Sequence, residues 1–196
     1  MPAHTKAELI EGVVHMSSPV RAKRHAEPHN DLAGWLTMYR AFTPNVHAGN
    51  NATVRLGVDH EVQPDELLYL DPTVGGHALI DADDYLSGAP EWIGEIAASS
   101  VSIDLGAKLR VYERNQIHEY LVWRVLDQEI DWFFLQAGTF ERLAPSPDGY
   151  LKSRVFPGLW LDAQAMIGGD MARVLQVLQA GLASPEHRDF VARLQA

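Results

Sequence analysis

Three polar residues sit where a structural role alone is hard to assign: Asp65, Glu95 and Lys108. Asp65 follows Pro64 at the head of an apolar run, Glu66-Leu67-Leu68-Tyr69-Leu70. Glu95 lies inside Trp92-Ile93-Gly94-Glu95-Ile96-Ala97, a stretch so apolar that it reads as a central strand covered on both faces. A lone carboxylate buried there would be costly, and it persists when paired or bound to a metal. Gly94 beside it would let a ligand or another backbone come close. Lys108 falls in a helical stretch whose inward stripe is Val101, Leu105, Leu109 and Tyr112. At about 100° per residue it sits roughly 60° from Leu105, on the margin of that stripe. From the margin it can run its methylenes over apolar surface and deliver the ammonium to the end of the sheet. It can equally pair at the surface with Asp104 four residues back, worth about 0.3–0.5 kcal/mol.

Two carboxylates on neighbouring strands and one lysine suit metal-assisted hydrolysis of a phosphodiester. Asp65 and Glu95 would hold Mg²⁺, which takes oxygen ligands and keeps several waters, with Mn²⁺ as a substitute. A metal in such a site polarises a phosphoryl oxygen and lowers the pKa of its bound water. The Lys108 ammonium would steady the attacking water or the charge gathering on the phosphate. Nothing in the set calls for an organic cofactor. Glu8 and His25 are auxiliary candidates: Glu8 as a further carboxylate or a hairpin surface charge, His25 as a phosphate contact, a proton relay or an exposed helix-start residue.

Other polar residues read as structural. His29, His47, His60 and His118 are scattered and show no metal-ligand spacing. Ser99 and Ser100 lack the Gly-x-Ser-x-Gly elbow of a nucleophile and read as helix caps. The five tryptophans fall mostly on apolar faces, as core or dimer contacts.

The elements that must position these groups follow from pattern. Glu8-Leu9-Ile10 and Val13-Val14-His15-Met16 flank Glu11-Gly12 as an N-terminal β-hairpin. Residues 22–42 read as a helix, with Leu32, Trp35, Leu36 and Tyr39 on one face and Pro44 ending it. Extended pieces follow at Thr53–Leu56 and Glu66–Leu70, then a loop from Thr73 to Ala89 and the Glu95 strand. A helix to Asn115 leads to strands at Glu119–Val125, Glu129–Leu135 and Thr139–Leu143, and two helices near 170–182 and 186–194 close the chain. The order suits one mixed or antiparallel sheet with helices on its faces rather than a doubly wound fold.

The 196 residues are enough for one substantial core. We expect a single domain over 1–196, its core spanning 8–160 and a C-terminal helical segment 170–194. The chain has no cysteine, which removes disulfides, thiolate zinc sites and cysteine nucleophiles and fits a reducing, cytoplasmic setting. No apolar run reaches membrane-spanning length. A net charge of -10 argues against coating the whole surface with nucleic acid. A nuclease needs only a local basic path, and Arg21, Lys23, Arg24, His25 and His29 offer one, or else form a solvated helix start.

In this order and spacing the pieces resemble the Uma-type putative restriction endonucleases of the PD-(D/E)XK nuclease superfamily. Glu8-Leu9-Ile10-Glu11-Gly12 is similar to that family's Glu-Leu-Ile-Asp-Gly hairpin, and Met16-Ser17 with His25 to its Met-Ser-Pro stretch and helix-starting His. Pro64-Asp65 is similar to the superfamily's Pro-Asp. Ala89-Pro90 through Glu95-Ile96 resembles the strand ending in the catalytic Glu, and Asp104-Leu105-Gly106-Ala107-Lys108 with Tyr112 the Asp-x-x-x-Lys helix. The chain departs at Ala97, where the superfamily's Glu-x-Lys places its lysine, and the loop before Asp104 is one residue shorter. The resemblance implies an α/β restriction-endonuclease-like core, a central mixed β-sheet flanked by helices. It implies DNA as substrate, Mg²⁺ dependence, Asp65 and Glu95 as metal ligands and Lys108 as the catalytic lysine moved onto the helix. A homodimer is expected, since cutting two strands calls for two sites. The rival readings are a catalytically inactive nuclease-fold adaptor for nucleic acid or protein, and a carboxylate glycosidase, which needs no metal.

Overall fold

The computed structural model describes residues 7–16 and 21–196. Ser17, and residues 1–6 of the expected domain, lie outside the described residues. The chain opens with strands β1 (Ala7–Ile10) and β2 (Val13–Met16), turned by Glu11 and Gly12, both at positive φ. A π-helical turn at Ala22–Ala26 runs straight into helix α1 (Glu27–Ala41). Strands β3 (Val46–Asn50), β4 (Val54–Arg55), β5 (Glu61–Val62) and β6 (Glu66–Leu70) follow. The expected loop at 73–89 contains two short strands, β7 (Leu79–Ile80) and β8 (Leu86–Ser87). After β9 (Trp92–Ala97) come a short helix α2 (Val101–Ile103), a second π-helical turn at Asp104–Lys108, and α3 (Leu109–Arg114). Strands β10 (Glu119–Arg124), β11 (Glu129–Gln136), β12 (Thr139–Arg142), β13 (Leu151–Lys152) and β14 (Trp160–Leu161) precede helices α4 (Ala163–Ile167), α5 (Met171–Leu182) and α6 (Pro185–Leu194).

The central sheet runs β12-β11-β10-β9-β6-β3 and is mixed: β9 and β10 are parallel, the other neighbours antiparallel. The sequence reading had one sheet; the structure adds a second, β2-β1-β5-β4-β8-β7, built on the N-terminal hairpin, and a small β13-β14 pair. Most strands of the second sheet are two residues long, too short to show the alternation by which strands are read.

Strand alternation splits β9 between two cores. Trp92 and Ile96 join the cluster under α1, where Trp35, Trp92 and Trp132 meet edge-to-face at centroid distances of 5.9–6.2 Å. Ile93 and Ala97 join the other cluster, with Leu67, Val111, Tyr112, Tyr120 and Val122. A period of two therefore puts Glu95 on the second face, beneath α3. Gly94 faces the first core, where a Cβ would stand 2.6 Å from the Trp92 ring and 3.2 Å from Leu32. The expectation that Gly94 makes room for a ligand is corrected: it makes room for core packing on the opposite face from Glu95.

Candidate active site

Where β6 begins beside β9, the chain brings its carboxylates together. Glu66 pairs with Gly94 in antiparallel register, so Asp65, the residue before β6, lies alongside the end of β9. Asp65 Oδ2 accepts a hydrogen bond from the Ile96 amide at 2.8 Å. Glu95, its neighbour in the chain, reaches from β9 to Lys108, whose Nζ donates to Glu95 Oε1 at 2.9 Å. The Tyr112 hydroxyl donates to the same oxygen at 3.0 Å. From the N-terminal hairpin, Glu8 Oε1 sits 3.0 Å from Lys108 Nζ and accepts the Gln63 amide at 2.8 Å. Asp104 Oδ1 is 3.8 Å from the same ammonium.

The helix around Lys108 departs from the expected stripe. Asp104, Lys108, Val111 and Tyr112 are buried, while Val101, Leu105 and Leu109 are only half-buried. The cause is the π-helical turn, whose wider winding rotates Lys108 from the margin to the centre of the inward face. A surface ion pair with Asp104 is thereby overturned as the explanation of Lys108: both residues are buried, and the lysine's shorter contacts are with Glu95 and Glu8. Ser100 stands at the N-cap position of α2 but makes no capping bond; its hydroxyl engages Asp104 instead.

Two histidines of the first helix frame Asp65. His25 Nδ1 lies 3.2 Å from the Ile96 carbonyl, which can only accept, so Nδ1 carries a proton. Its Nε2 is then 3.5 Å from Asp65 Oδ1. His29, which the sequence offers only as part of a basic path, donates from Nε2 to the Asp65 carbonyl at 3.0 Å and stands 2.8 Å from Glu66 Oε1. The two rings stack at 5.6 Å. Only helical spacing of i, i+4 on one turn hinted at this pair.

Burial and crowding shape the charges. Burial pushes the Glu95 carboxyl up to about 8; Lys108 pulls it down, while Asp65, Asp104 and Glu8 add to the rise. Burial also raises Asp104, against the pull of Lys108. For Lys108 burial alone would lower the pKa, but Glu95, Glu8 and Asp104 outweigh it and the ammonium is held charged. Three carboxylates, those of Glu95, Glu8 and Asp104, thus share one ammonium.

Asp65, Glu95, Lys108, Glu8, His25 and Asp104 all line one cavity of about 640 Å³, with Arg21 and Arg24 also contributing to its wall. The side chains of Asp65, Glu95 and Lys108 are only 4–6% exposed, yet all three open onto this space. The structure brings together every candidate named from the sequence. Asp104, Tyr112 and His29 are the additions; the sequence offers Asp104 as a surface partner of Lys108 and Tyr112 as part of the helix's inward stripe.

A mixed sheet whose parallel pair carries an acidic, lysine-bearing pocket, flanked by helices, defines a restriction-endonuclease-like α/β fold. The model of the Uma2 family, described as putative restriction endonuclease, matches residues 1–164. The chain belongs to the Uma2 family, a nuclease family by that description. Among solved structures, it is similar to a putative nuclease belonging to DUF820 from Anabaena variabilis, with a TM-score of 0.59 and 14% identity over 82% of this chain and 90% of that one. At that identity the likeness is one of fold. No curated protein matches. No helix among the described residues is long and apolar enough to cross a membrane.

Proposed function

We propose that the protein is a metal-dependent endonuclease that hydrolyses DNA phosphodiester bonds, with Asp65 and Glu95 as metal ligands and Lys108 as the catalytic lysine. The observation that carries this reading is the meeting of Lys108 Nζ with Glu95 at 2.9 Å in a cavity that Asp65 also lines.

The donor set fits a hard divalent ion: all its ligating atoms are carboxylate oxygens, and one ammonium leaves their combined negative charge under-compensated. Among the described residues no group of three or more His, Cys, Asp or Glu side chains is arranged as a metal cage. Mg²⁺ does not require one, since it is commonly held by one or two carboxylates together with waters and substrate phosphate. Bound there, the ion would supply Lewis acidity toward the phosphate and a more acidic water.

The chain's own residues divide the remaining work. Lys108 presents a charged ammonium at the carboxylates, where it offsets negative charge developing on a phosphate. Tyr112 and Lys108 together fix the rotamer of Glu95 through a shared oxygen. The Ile96 amide fixes Asp65 through Oδ2, and His25 stands beside its Oδ1, positioned to contact a phosphate. Glu8 holds Lys108 from the hairpin.

The protein would act as a homodimer in the cytoplasm, two-fold pairing being the commonest oligomer; sedimentation equilibrium tests the dimer. The hydrolytic reading is tested by incubating DNA with Mg²⁺ or Mn²⁺ and either the parent protein or Asp65→Asn. Cleavage by the parent and none by the variant is expected. Cleavage of nothing by the parent, with metal binding unchanged in the variant, ends the proposal.

A further inference from the structure

We infer that the cavity takes its DNA as an unpaired strand rather than as an intact duplex; the inference rests on the nuclease reading and deepens it. Three observations carry it.

The first is depth against width. The Asp65 and Glu95 side chains are 6% and 4% exposed, so a scissile phosphate must enter the cavity to meet them. A sphere of 640 Å³ is about 11 Å across, whereas the major groove of a B-form duplex is by itself ~12 Å wide. A flexible single strand can bend a phosphate inward at little cost; a stiff duplex cannot.

The second is the charge. The chain carries -10 overall, and a short cationic strip lies at the cavity: Arg21 and Arg24 line it and Lys23 stands between them in the chain, all exposed, at the start of the π-helical turn before α1. No described carboxylate engages these three, whereas Arg55 and Arg124 elsewhere are each held by several. A duplex would lay two phosphate backbones, one charge per about 1.7 Å of axis, against a surface that can neutralise one track at most.

The third is apolar surface. Met16 and Leu126 are 64% and 55% exposed, and both line this cavity together with Ile103. Stacked bases inside a duplex make no use of such a wall. Unstacked bases do, since their faces lose contact with water when laid on an apolar wall, the role that aromatic platforms beside a cationic track play in other single-strand binders.

The test is fluorescence anisotropy with a labelled oligothymidylate and a blunt mixed-sequence duplex of equal length, using Ca²⁺ as the cation, alongside cleavage assays in Mg²⁺ and Mn²⁺. Binding of the single strand at least tenfold tighter than the duplex is expected, with log K falling against log salt at a slope of about -2, three contacts at ~0.7 each. The Arg21→Ala/Arg24→Ala double variant should flatten that slope by about 1.4; both side chains are exposed, so the fold is kept. Equal or tighter duplex binding, binding of neither strand form, or an unchanged slope in the double variant overturns the inference. The hydrolytic reading fails separately: selective single-strand binding without cleavage of any DNA would leave the inference standing and remove the enzyme. Duplex cleavage as fast as single-strand cleavage would keep the enzyme and remove the inference.

Discussion

The Asp65 carboxylate is tied to the Ile96 amide at 2.8 Å, so its position is set by the backbone of the very strand that carries Glu95. That bond uses Oδ2 and depends on an acceptor oxygen, not on the charge. Asparagine keeps an acceptor oxygen and nearly the same shape. Asp65→Asn is therefore expected to fold with a stability change within about 1 kcal/mol while losing Mg²⁺-dependent cleavage altogether. Urea unfolding and a cleavage assay on the same preparation check both halves.

Lys108 behaves differently, because it is buried against two carboxylates rather than placed at a rim. The expectation from sequence is that Lys108→Ala, like Asp65→Asn and Glu95→Gln, abolishes cleavage and leaves the fold intact. The structure changes the second half. Removing one partner of a buried ion pair strands the other, a loss of about 3–5 kcal/mol. Lys108→Met should show that loss in urea unfolding without metal, and Lys108→Met/Glu95→Gln should recover part of it. Full additivity of the two changes would show that the pair is not coupled.

How much of this was legible follows from which signals are local. The β9 strand could be bounded at Trp92–Ala97 because five apolar or small residues surround one carboxylate, and Asp65 stood out because Pro64 marks the entry to β6. The hairpin and a mixed or antiparallel sheet emerged from the same local patterns, and the resemblance to the nuclease family pointed to the mixed form. Lys108 was named but misplaced by phase, because a π-helical turn leaves no mark in a 3.6-residue pattern. The second sheet was not legible, since β4, β5, β7 and β8 are two residues each and their pairing is set by distant partners. Asp104 reads from the sequence as a surface partner of Lys108 and Tyr112 as a stripe residue; only the tertiary fold buries Asp104 beside Lys108 and turns the Tyr112 hydroxyl to Glu95.

Tyr112 is fully buried and spends its hydroxyl on Glu95 Oε1 at 3.0 Å. It does not line the open cavity, so its effect on reaction would pass through the orientation of Glu95. Tyr112→Phe keeps the ring packing against Tyr120 at 4.8 Å centroid distance. Loss of an outer-shell partner to a metal-binding carboxylate commonly costs roughly 10–100-fold in affinity or activity, and that range is expected here for metal affinity. Calorimetric titration with Mn²⁺ reads it; an unchanged affinity would reduce Tyr112 to packing.

The same titration separates an enzyme from an inactive adaptor of the same fold. An adaptor has no use for a divalent ion between Asp65 and Glu95, whereas the enzyme should bind Mg²⁺ or Mn²⁺ in the parent and lose that binding in Asp65→Asn. Activity should vanish with chelator and return when Mg²⁺ is restored. Cleavage that survives chelation would instead favour metal-free acid–base chemistry.

Glu119 gives a pH prediction away from the site. It is fully buried on β10 and anchors the loop after β13, accepting from the Ser153 hydroxyl at 2.7 Å and the Arg154 amide at 2.6 Å. Burial pushes its carboxyl up to about 7, although those hydrogen bonds oppose the rise. The folded state therefore holds this proton more tightly than the unfolded chain, whose carboxyl titrates near 4.5. The stabilising contribution is complete below the unfolded value and is lost as pH rises through the folded one. A rise of that size corresponds to about 3 kcal/mol between pH 4.5 and 7. Glutamine cannot titrate, yet its oxygen can accept the Arg154 amide and its amide can donate to Ser153. Glu119→Gln should then remove about that much of the pH dependence of urea-unfolding free energy, leaving the variant relatively more stable at pH 8 than at pH 5. Parallel curves for parent and variant across this range would show that Glu119 stays ionised in the fold.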